Sequence, residues 1–399
     1  MKIAYSEATK LSLAYKLKRI NYGLIILVTA CCSIGFAMLY SAAGGDIEPW
    51  AQRHLVRYFV GLLGIIILGL INIRLFFKGA YIFYGVSLML LVFVELAGEV
   101  GMGAQRWIDF GVIRLQPSEL MKISVVIVLA RYFHIRSFHE IGNPLHLVIP
   151  AFLVLVPVVL VIKQPDLGTA IMMALSGLVI FFIAGVRMWK FILLFLGGVA
   201  LVPIIWQFLL EYQKKRILTF LSPEIDPLGA GYHLMQSKIA LGSGGLYGKG
   251  FIQGSQSHLN FLPEIQTDFI FTMLAEEFGL LGGLVVLLLF FLISCYGLIL
   301  SFFMASKFAR FLTIGMITTL FFYVFINIGM VMGLLPIVGV PLPFISYGGS
   351  ALLTSMIAIG LIISCHVHRD VIIGLSLIHI SEPTRLLSIS YAVFWLKKK

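Results

Sequence analysis

The sequence predicts an all-α polytopic membrane protein with about ten transmembrane helices. Three observations carry this. Apolar residues make up 60% of the 399-residue chain and charged residues only 12%, against about 45–50% and 25% in soluble domains. So few charges could not dress a water-facing surface, and lipid removes the need. Apolar runs of about 20 residues, the length that crosses a hydrocarbon core, recur along the chain. Lys and Arg concentrate in alternate joints between the runs, as they do when one side is cytoplasmic.

The N-terminal segment carries Lys2, Lys10, Lys16, Lys18 and Arg19, and the apolar run 22–40 follows. Ser41-Ala42-Ala43 faintly resembles a signal-peptidase site. The run is longer than a signal-peptide core, however, and is assigned as a retained anchor. Further spans are predicted at 55–72, 79–97, 118–133, 146–162, 167–186, 191–209, 268–300, 310–333 and 350–367. The run 268–300 exceeds one crossing, so it is expected to tilt or to extend beyond the bilayer.

With the N-terminus in the cytoplasm, that side collects the basic N-terminal segment, Arg74/Lys78, Arg131/Arg136, Arg187/Lys190, Lys307/Arg310 and Arg369. The far side's short loops hold Arg53, Arg57, Arg106, Arg114 and Lys163. This bias predicts N-in and C-in, which an even number of spans satisfies. The one long connection, 211–267, then lies outside the cell between the seventh and eighth helices. Its apolar residues Leu234, Ile239, Phe251 and Phe261 predict an ordered, functional loop rather than a slack one. A short helix lying on the membrane is expected at 232–241.

The net charge of +11 does not point to nucleic acid, because no basic cluster is interleaved with exposed aromatics. The positive charges serve topology and contact with anionic membrane lipid. Cys31, Cys32, Cys295 and Cys365 lie in or at the ends of apolar runs without metal-ligand spacing, which argues against a disulfide framework or a zinc site. No metal site is assigned. No internal repeat is visible, in contrast to the paired broken spans of many transporters.

Ionisable groups at membrane depth are usually functional or paired. Asp268 opens the eighth span, where an N-cap and a general base at the mouth of a cavity are both open readings. Glu276 and Glu277 lie about 12–13 Å further along the helix, as a structural ion pair or as catalytic groups. Glu119 and Lys122, three apart, pair on one helix face. Asp166 follows Pro165 near Lys163, so pairing, capping and function compete. Trp107 reads as an interfacial anchor, while Arg106 has the chemistry to clamp a phosphate. The glycine-rich stretch 242–250 could present amides to phosphate, but no strand precedes it and the dinucleotide fingerprint fails its context.

Together these segments resemble the SEDS family (shape, elongation, division and sporulation), in its RodA-like rod-shape branch. The resemblance rests on Gly103-Ala104-Gln105-Arg106-Trp107-Ile108-Asp109, Gln116-Pro117-Ser118-Glu119 and Gln164-Pro165-Asp166-Leu167-Gly168-Thr169. It continues through Asp226-Pro227-Leu228-Gly229-Ala230-Gly231-Tyr232-His233, Gln236-Ser237-Lys238-Ile239-Ala240, Gly242-Ser243-Gly244-Gly245-Leu246, Phe261-Leu262-Pro263-Glu264, Thr267-Asp268-Phe269-Ile270-Phe271 and Ala275-Glu276-Glu277. Asn327-Ile328-Gly329-Met330, Gly339-Val340-Pro341-Leu342-Pro343 and Ser346-Tyr347-Gly348-Gly349-Ser350 close it. It covers about residues 20–370, so 1–373 is read as one membrane domain.

The resemblance implies a glycosyltransferase of the bacterial inner (cytoplasmic) membrane. Such an enzyme polymerises lipid II, a polyprenyl-pyrophosphate-linked glycan, into β-1,4 peptidoglycan strands during elongation. It implies a class B penicillin-binding protein and other elongation-complex proteins as partners. It places the essential carboxylate on Asp268, and Arg106, Trp107, Glu119, Lys122, Asp166, Glu264, Glu276 and Glu277 fall on its motifs. Lys238 and Lys249, with Arg106, are candidates to offset pyrophosphate charge. A divalent cation (Mg or Mn) is an open alternative for that task, with no complete ligand set in the sequence. A lipid II flippase and a non-catalytic scaffold that activates the crosslinking partner are the rival functions.

Two departures stand out. Many relatives carry Arg-His where this chain has Ile265-Gln266. The tail 374–399, with Ser376-Leu377-Ile378-His379-Ile380-Ser381-Glu382-Pro383-Thr384-Arg385, resembles a translated sequencing-adapter fragment. It is read as an assembly artefact without function.

Overall fold

The structure, a computed structural model, describes residues 12–101, 104–109, 111, 114–209, 211–226, 229–255 and 264–374. The tail assignment and Phe261 therefore lie outside the described residues. A short helix α1 (Leu13–Arg19) precedes α2 (Tyr22–Ala42), α3 (Ala51–Leu70) and α4 (Ile73–Ala97). Then come α5 (Pro117–Ile135), the single turn α6 (Phe138–Gly142), α7 (Leu145–Lys163), α8 (Leu167–Ala184) and α9 (Met188–Phe208). Two extramembrane helices, α10 (Glu211–Leu221) and α11 (Ala230–Ser243), lead to α12 (Ile270–Phe302), α13 (Lys307–Val331) and α14 (Gly349–Val367). Every predicted span is occupied by a helix. Eight of them, α2, α3, α4, α7, α8, α12, α13 and α14, are long and apolar enough to cross a membrane, and α9 contributes a shorter apolar stretch, Met188–Ile204.

The spans differ in what they face. α5 is buried along nearly its whole length, from Pro117 to Phe133, and packs against α4, α7, α8, α13 and α14. It carries Glu119, Lys122 and Arg131, which a helix facing lipid could not hold cheaply. α9 is the opposite case, with Ile192, Leu193, Phe195 and Val199 exposed on the outside. Small residues allow the closest approaches in the core. A Cβ on Gly315 would stand 2.5 Å from Val126, and one on Gly297 2.3 Å from Ile317. Such contacts hold helices together where lipid leaves no hydrophobic drive between them.

The two ends of the bundle are chemically distinct. At one end Arg19 pairs with Asp370 at 2.5 Å and Lys16 donates to the Leu70 carbonyl. There also Arg131 donates to the Lys78 carbonyl and Lys190 to that of Gly142. These are the basic joints that the charge bias assigned to one side. The long connection and the carboxylates near Asp268 gather at the other end.

The sequence reading left residues 98–116 as a loop. They contain a small antiparallel sheet of β1 (Glu99–Gly101), β2 (Ala104–Asp109) and β3 (Arg114–Leu115), in the order β1-β2-β3. Strands of two to six residues are too short for period-two alternation to show. The 211–267 connection is ordered around Leu234, which is buried, and Phe251, whose ring stacks on Tyr40 and meets Phe278, whereas Ile239 is exposed. Ser237 supplies a polar anchor. Its hydroxyl bonds to Thr272 Oγ1 and the Val331 carbonyl, both at 2.9 Å.

α12 is broken within its length. Gly279 leaves the helical region at φ 65°, ψ −161°. A broken helix at membrane depth must find partners for its freed backbone groups, and the glycine-rich segment provides them. Leu280 and Leu281 donate to the Gly245 and Leu246 carbonyls at 2.9 and 3.2 Å. In return Lys249 and Gly250 donate to the Glu276 and Glu277 carbonyls, both at 3.0 Å. A Cβ on Gly244 or Gly248 would lie 2.0 Å from a carbonyl oxygen of α12. This corrects the phosphate-cradle reading of 242–250: the glycines are there for backbone approach, and the amides of Lys249 and Gly250 are already spent on α12.

Candidate active site

The turn 264–269 carries Asp268 into α12. It starts at Glu264, whose φ of 54° is costly for a side-chain-bearing residue, and strain of this kind concentrates at functional sites. Thr267 holds the turn by donating its hydroxyl to Glu264 Oε2 at 3.1 Å and its amide to the Glu264 carbonyl at 3.0 Å. The N-cap of α12 is Phe269, without any side-chain cap bond. The capping alternative for Asp268 is thereby removed.

The segment 333–348 clasps this turn from the α13–α14 side. Ser346 donates to the Thr267 carbonyl at 2.6 Å and accepts from the Leu342 amide at 2.7 Å. The Tyr347 amide donates to the Gln266 carbonyl at 2.8 Å. Asn327, wholly buried on α13, donates to the Asp268 and Val340 carbonyls. Asp268 itself is half-buried, and a Cβ on Gly339 would stand 3.3 Å from its Oδ2. Desolvation pushes the Asp268 carboxyl up to about 7. The negative charges of Glu264 and Asp166 add to the rise, and Arg106 and Arg216 oppose it. A carboxylate poised near neutrality is matched to general-base work.

The structure sorts the other sequence-predicted residues. Asp166 caps α8 by accepting from the Thr169 amide at 3.3 Å, and takes Gln116 Nε2 at 3.1 Å. Of the three open readings, the structure shows capping. Arg106 on β2 donates to the Gln164 carbonyl at 3.0 Å and to the Pro165 carbonyl. It braces the α7–α8 turn while its charge still reaches Asp268. Trp107 is half-buried beside it.

Glu119 and Lys122 do pair, at 2.7 Å, and Tyr323 from α13 completes the group by donating to Glu119 Oε2 at 2.6 Å. All three are buried inside the bundle. Glu276 takes Lys249 at 2.7 Å and Glu277 takes the Ser41 hydroxyl at 2.5 Å. These contacts tie the loop and α2 to the α12 break, roughly 12 Å along the helix from Asp268. Lys249 is thus engaged away from Asp268, and Lys238 on α11, exposed overall, lays the ammonium end of its side chain against Gly333.

Sequence reasoning missed Arg216, Asn327 and Ser346 as residues of this site. A lone Asn inside the apolar text of α13 was a signal. Arg216 sat unremarked in the basic run 214–216 of α10. Among the described residues, no three His, Cys, Asp or Glu side chains come together closely enough to hold a metal ion.

Residues 22–371 match the model of the family described as cell cycle protein, FtsW/RodA/SpoVE. The peptidoglycan glycosyltransferase MrdB of Escherichia coli K12 is 43% identical over 358 residues, 88% of this chain and 94% of that protein. The stage V sporulation protein E of Bacillus subtilis is 35% identical, over 86% and 95% of the two chains. Among solved structures, a chain of a peptidoglycan synthase complex that coordinates polymerization and crosslinking superposes with a TM-score of 0.76. The two share 32% identity over 88% of this chain and 98% of that one. The rod shape determining protein RodA of Thermus thermophilus gives a TM-score of 0.67 at 29% identity, over 88% and 97%. The chain belongs to the FtsW/RodA/SpoVE family of cell cycle proteins.

Proposed function

We propose that this protein is a peptidoglycan glycosyltransferase that polymerises lipid II into β-1,4 glycan strands during cell elongation, with Asp268 as its general base. The observation that carries the reading is the half-buried Asp268 carboxyl raised to about 7 in a strained turn, with Arg106 and Arg216 close enough to act on its charge. Naming MrdB and its relatives as peptidoglycan glycosyltransferases supports the same activity here. In the reaction the sugar 4-hydroxyl of one lipid-linked glycan attacks the anomeric carbon of the other. Asp268 takes the hydroxyl proton, the polyprenyl pyrophosphate leaves, and the anomeric centre inverts. Tethering both reactants in the bilayer supplies proximity. Arg106 and Arg216 offset the charge that grows on the leaving group.

The orientation follows from the basic end of the bundle, read as cytoplasmic. This puts both termini inside and the Asp268 end on the cell-wall side of the inner membrane. A class B penicillin-binding protein is the partner that crosslinks the product, within the elongation complex. Among the described residues no group of three His, Cys, Asp or Glu could hold a divalent cation. EDTA titration of the assay tests whether the pyrophosphate brings a cation of its own.

Incubating the purified protein with labelled lipid II tests the proposal. Glycan polymer is expected from the native chain and none from Asp268→Asn, which keeps shape and removes the base. Transbilayer movement of lipid II without polymer would establish a flippase. Neither outcome, with stimulation of a crosslinking partner, would establish a scaffold. Polymerisation by Asp268→Asn at the native rate would refute the base.

A further inference from the structure

We propose that Asn327 is a positioning residue that sets where the Asp268 carboxylate stands, by tying the turn that carries it to the 338–340 segment. The proposal rests on the assignment of Asp268 as the base. Asn327 is wholly buried in α13, between the apolar neighbours Ile326 and Ile328. A buried amide is costly unless its donors are used. Both are: Nδ2 donates to the Asp268 carbonyl at 2.9 Å and to the Val340 carbonyl at 2.6 Å.

Gly339, the residue before Val340, is at φ +67°, and a Cβ on it would be 3.3 Å from Asp268 Oδ2. The carboxylate therefore lies against the backbone of the very segment that Asn327 holds. The far side of that segment is braced by the start of α8, where a Cβ on Gly168 would stand 2.6 Å from Val340 Cγ2 and 3.0 Å from the Val338 carbonyl. One side chain thus fixes the spacing between the Asp268 backbone and a wall that cannot retreat.

The turn does not depend on Asn327 for its attachment. Ser346 and Tyr347 hold it independently, through the Thr267 and Gln266 carbonyls. Removing the Asn327 donors should therefore leave the turn in place and loosen the carboxylate. Among the described residues Oδ1 of Asn327 has no hydrogen-bond partner, so the amide nitrogen performs the task. An apolar residue of the same size is then the clean test.

In Asn327→Leu, kcat for lipid II polymerisation is expected to fall tenfold or more, with KM changed less than threefold. The acid limb of the rate should move to lower pH, because a loosened turn admits water to the carboxyl. The charged groups that face Asp268 are Glu264 on its own turn, Asp166 at the head of α8, Arg106 on β2 and Arg216 on α10, and the substitution touches none of them.

A second readout needs no turnover. A carbodiimide labels protonated carboxyls, and mass spectrometry of the Asp268 peptide gives the labelled fraction against pH. The midpoint is expected near 7 in the native chain and at least about half a pH unit lower in Asn327→Leu. Native kcat in Asn327→Leu, or one shared labelling midpoint, would overturn the proposal. If the native chain makes no polymer, the glycosyltransferase reading fails while the labelling midpoint still decides Asn327. Should Asn327→Leu not elute as a folded protein, Asn327→Ser takes its place. It is expected to shift the midpoint in the same direction, and an unmoved midpoint counts against the proposal equally.

Discussion

Lys122→Met is expected to destabilise the protein by about 3 kcal/mol, and the double substitution Glu119→Gln/Lys122→Met by about 1 kcal/mol or less. The Lys122 and Glu119 side chains are 1% and 4% exposed and meet at 2.7 Å. At an effective dielectric of about 20 that separation gives a gross attraction of about 6 kcal/mol, most of it offset by desolvation of the two ions. The ammonium also donates to the Tyr323 hydroxyl. Removing it leaves a carboxylate deep in the bundle with only the Tyr323 hydroxyl, which still donates to Oε2 at 2.6 Å. Breaking a buried pair costs about 3–5 kcal/mol, and the surviving tyrosine bond places this case at the low end. Neutralising both partners removes the stranded charge and with it most of the loss. The double variant should therefore be about 2 kcal/mol more stable than Lys122→Met alone. Unfolding of the purified protein in mixed micelles by SDS titration, followed by tryptophan fluorescence, measures each variant. The reasoning fails if Lys122→Met unfolds within about 0.5 kcal/mol of the native chain, or if the double variant is as unstable as Lys122→Met.

Three further outcomes follow from the site and the α12 break. Because desolvation and the Glu264 and Asp166 charges raise the Asp268 carboxyl to about 7, the ionised base is lost below that pH. The polymerisation rate should therefore drop about tenfold per pH unit on the acid side. Glu264→Gln removes a like charge, eases ionisation and should move this limb to lower pH; a limb that stays or rises would contradict the electrostatics. Gly248→Ala puts a methyl 2.0 Å from the Glu277 carbonyl oxygen at φ +81°, and is expected to cost about 3 kcal/mol or more. Gly245→Ala, at φ +56° in open space, should cost only about 1–2 kcal/mol; equal losses by SDS titration would refute the wedge. Lys249→Met removes the ammonium from the wholly buried Glu276, which keeps the Ser255 hydroxyl, and should lower the same unfolding free energy by about 2–3 kcal/mol. It should leave the acid limb of the rate in place, since Lys249 lies far from Asp268.

The break in α12 gives a second reading of the family's glycine-rich text in this chain. Its glycines let one backbone enter the gap in another, so that the amides of Leu280 and Leu281 and the carbonyls of Glu276 and Glu277 find partners there. Lys249 and Ser41 then hold the adjacent carboxylates Glu276 and Glu277. This arrangement supports the rigid start of α12, on which the Asp268 turn is mounted.

Amino-acid order by itself determined the membrane class, the ten helical segments and the gathering of basic joints on one side. Each depends on properties summed along the chain: apolar length against bilayer thickness, and the placing of Lys and Arg between runs. It also marked Asp268, Glu119, Lys122 and Asp166 as residues whose charge needs an explanation at that depth. The tertiary structure alone decided which explanation each receives, because the partners come from distant segments. Ser41 reaches Glu277 across 236 residues, Tyr323 reaches Glu119 across 204, and Asn327 reaches the Asp268 turn across 59. Helix packing brings such groups together in three dimensions at separations that no local spacing encodes. Asp166 thus became a cap and Arg106 a brace. Asp268, released from capping, is left half-buried, where desolvation raises its carboxyl to about 7.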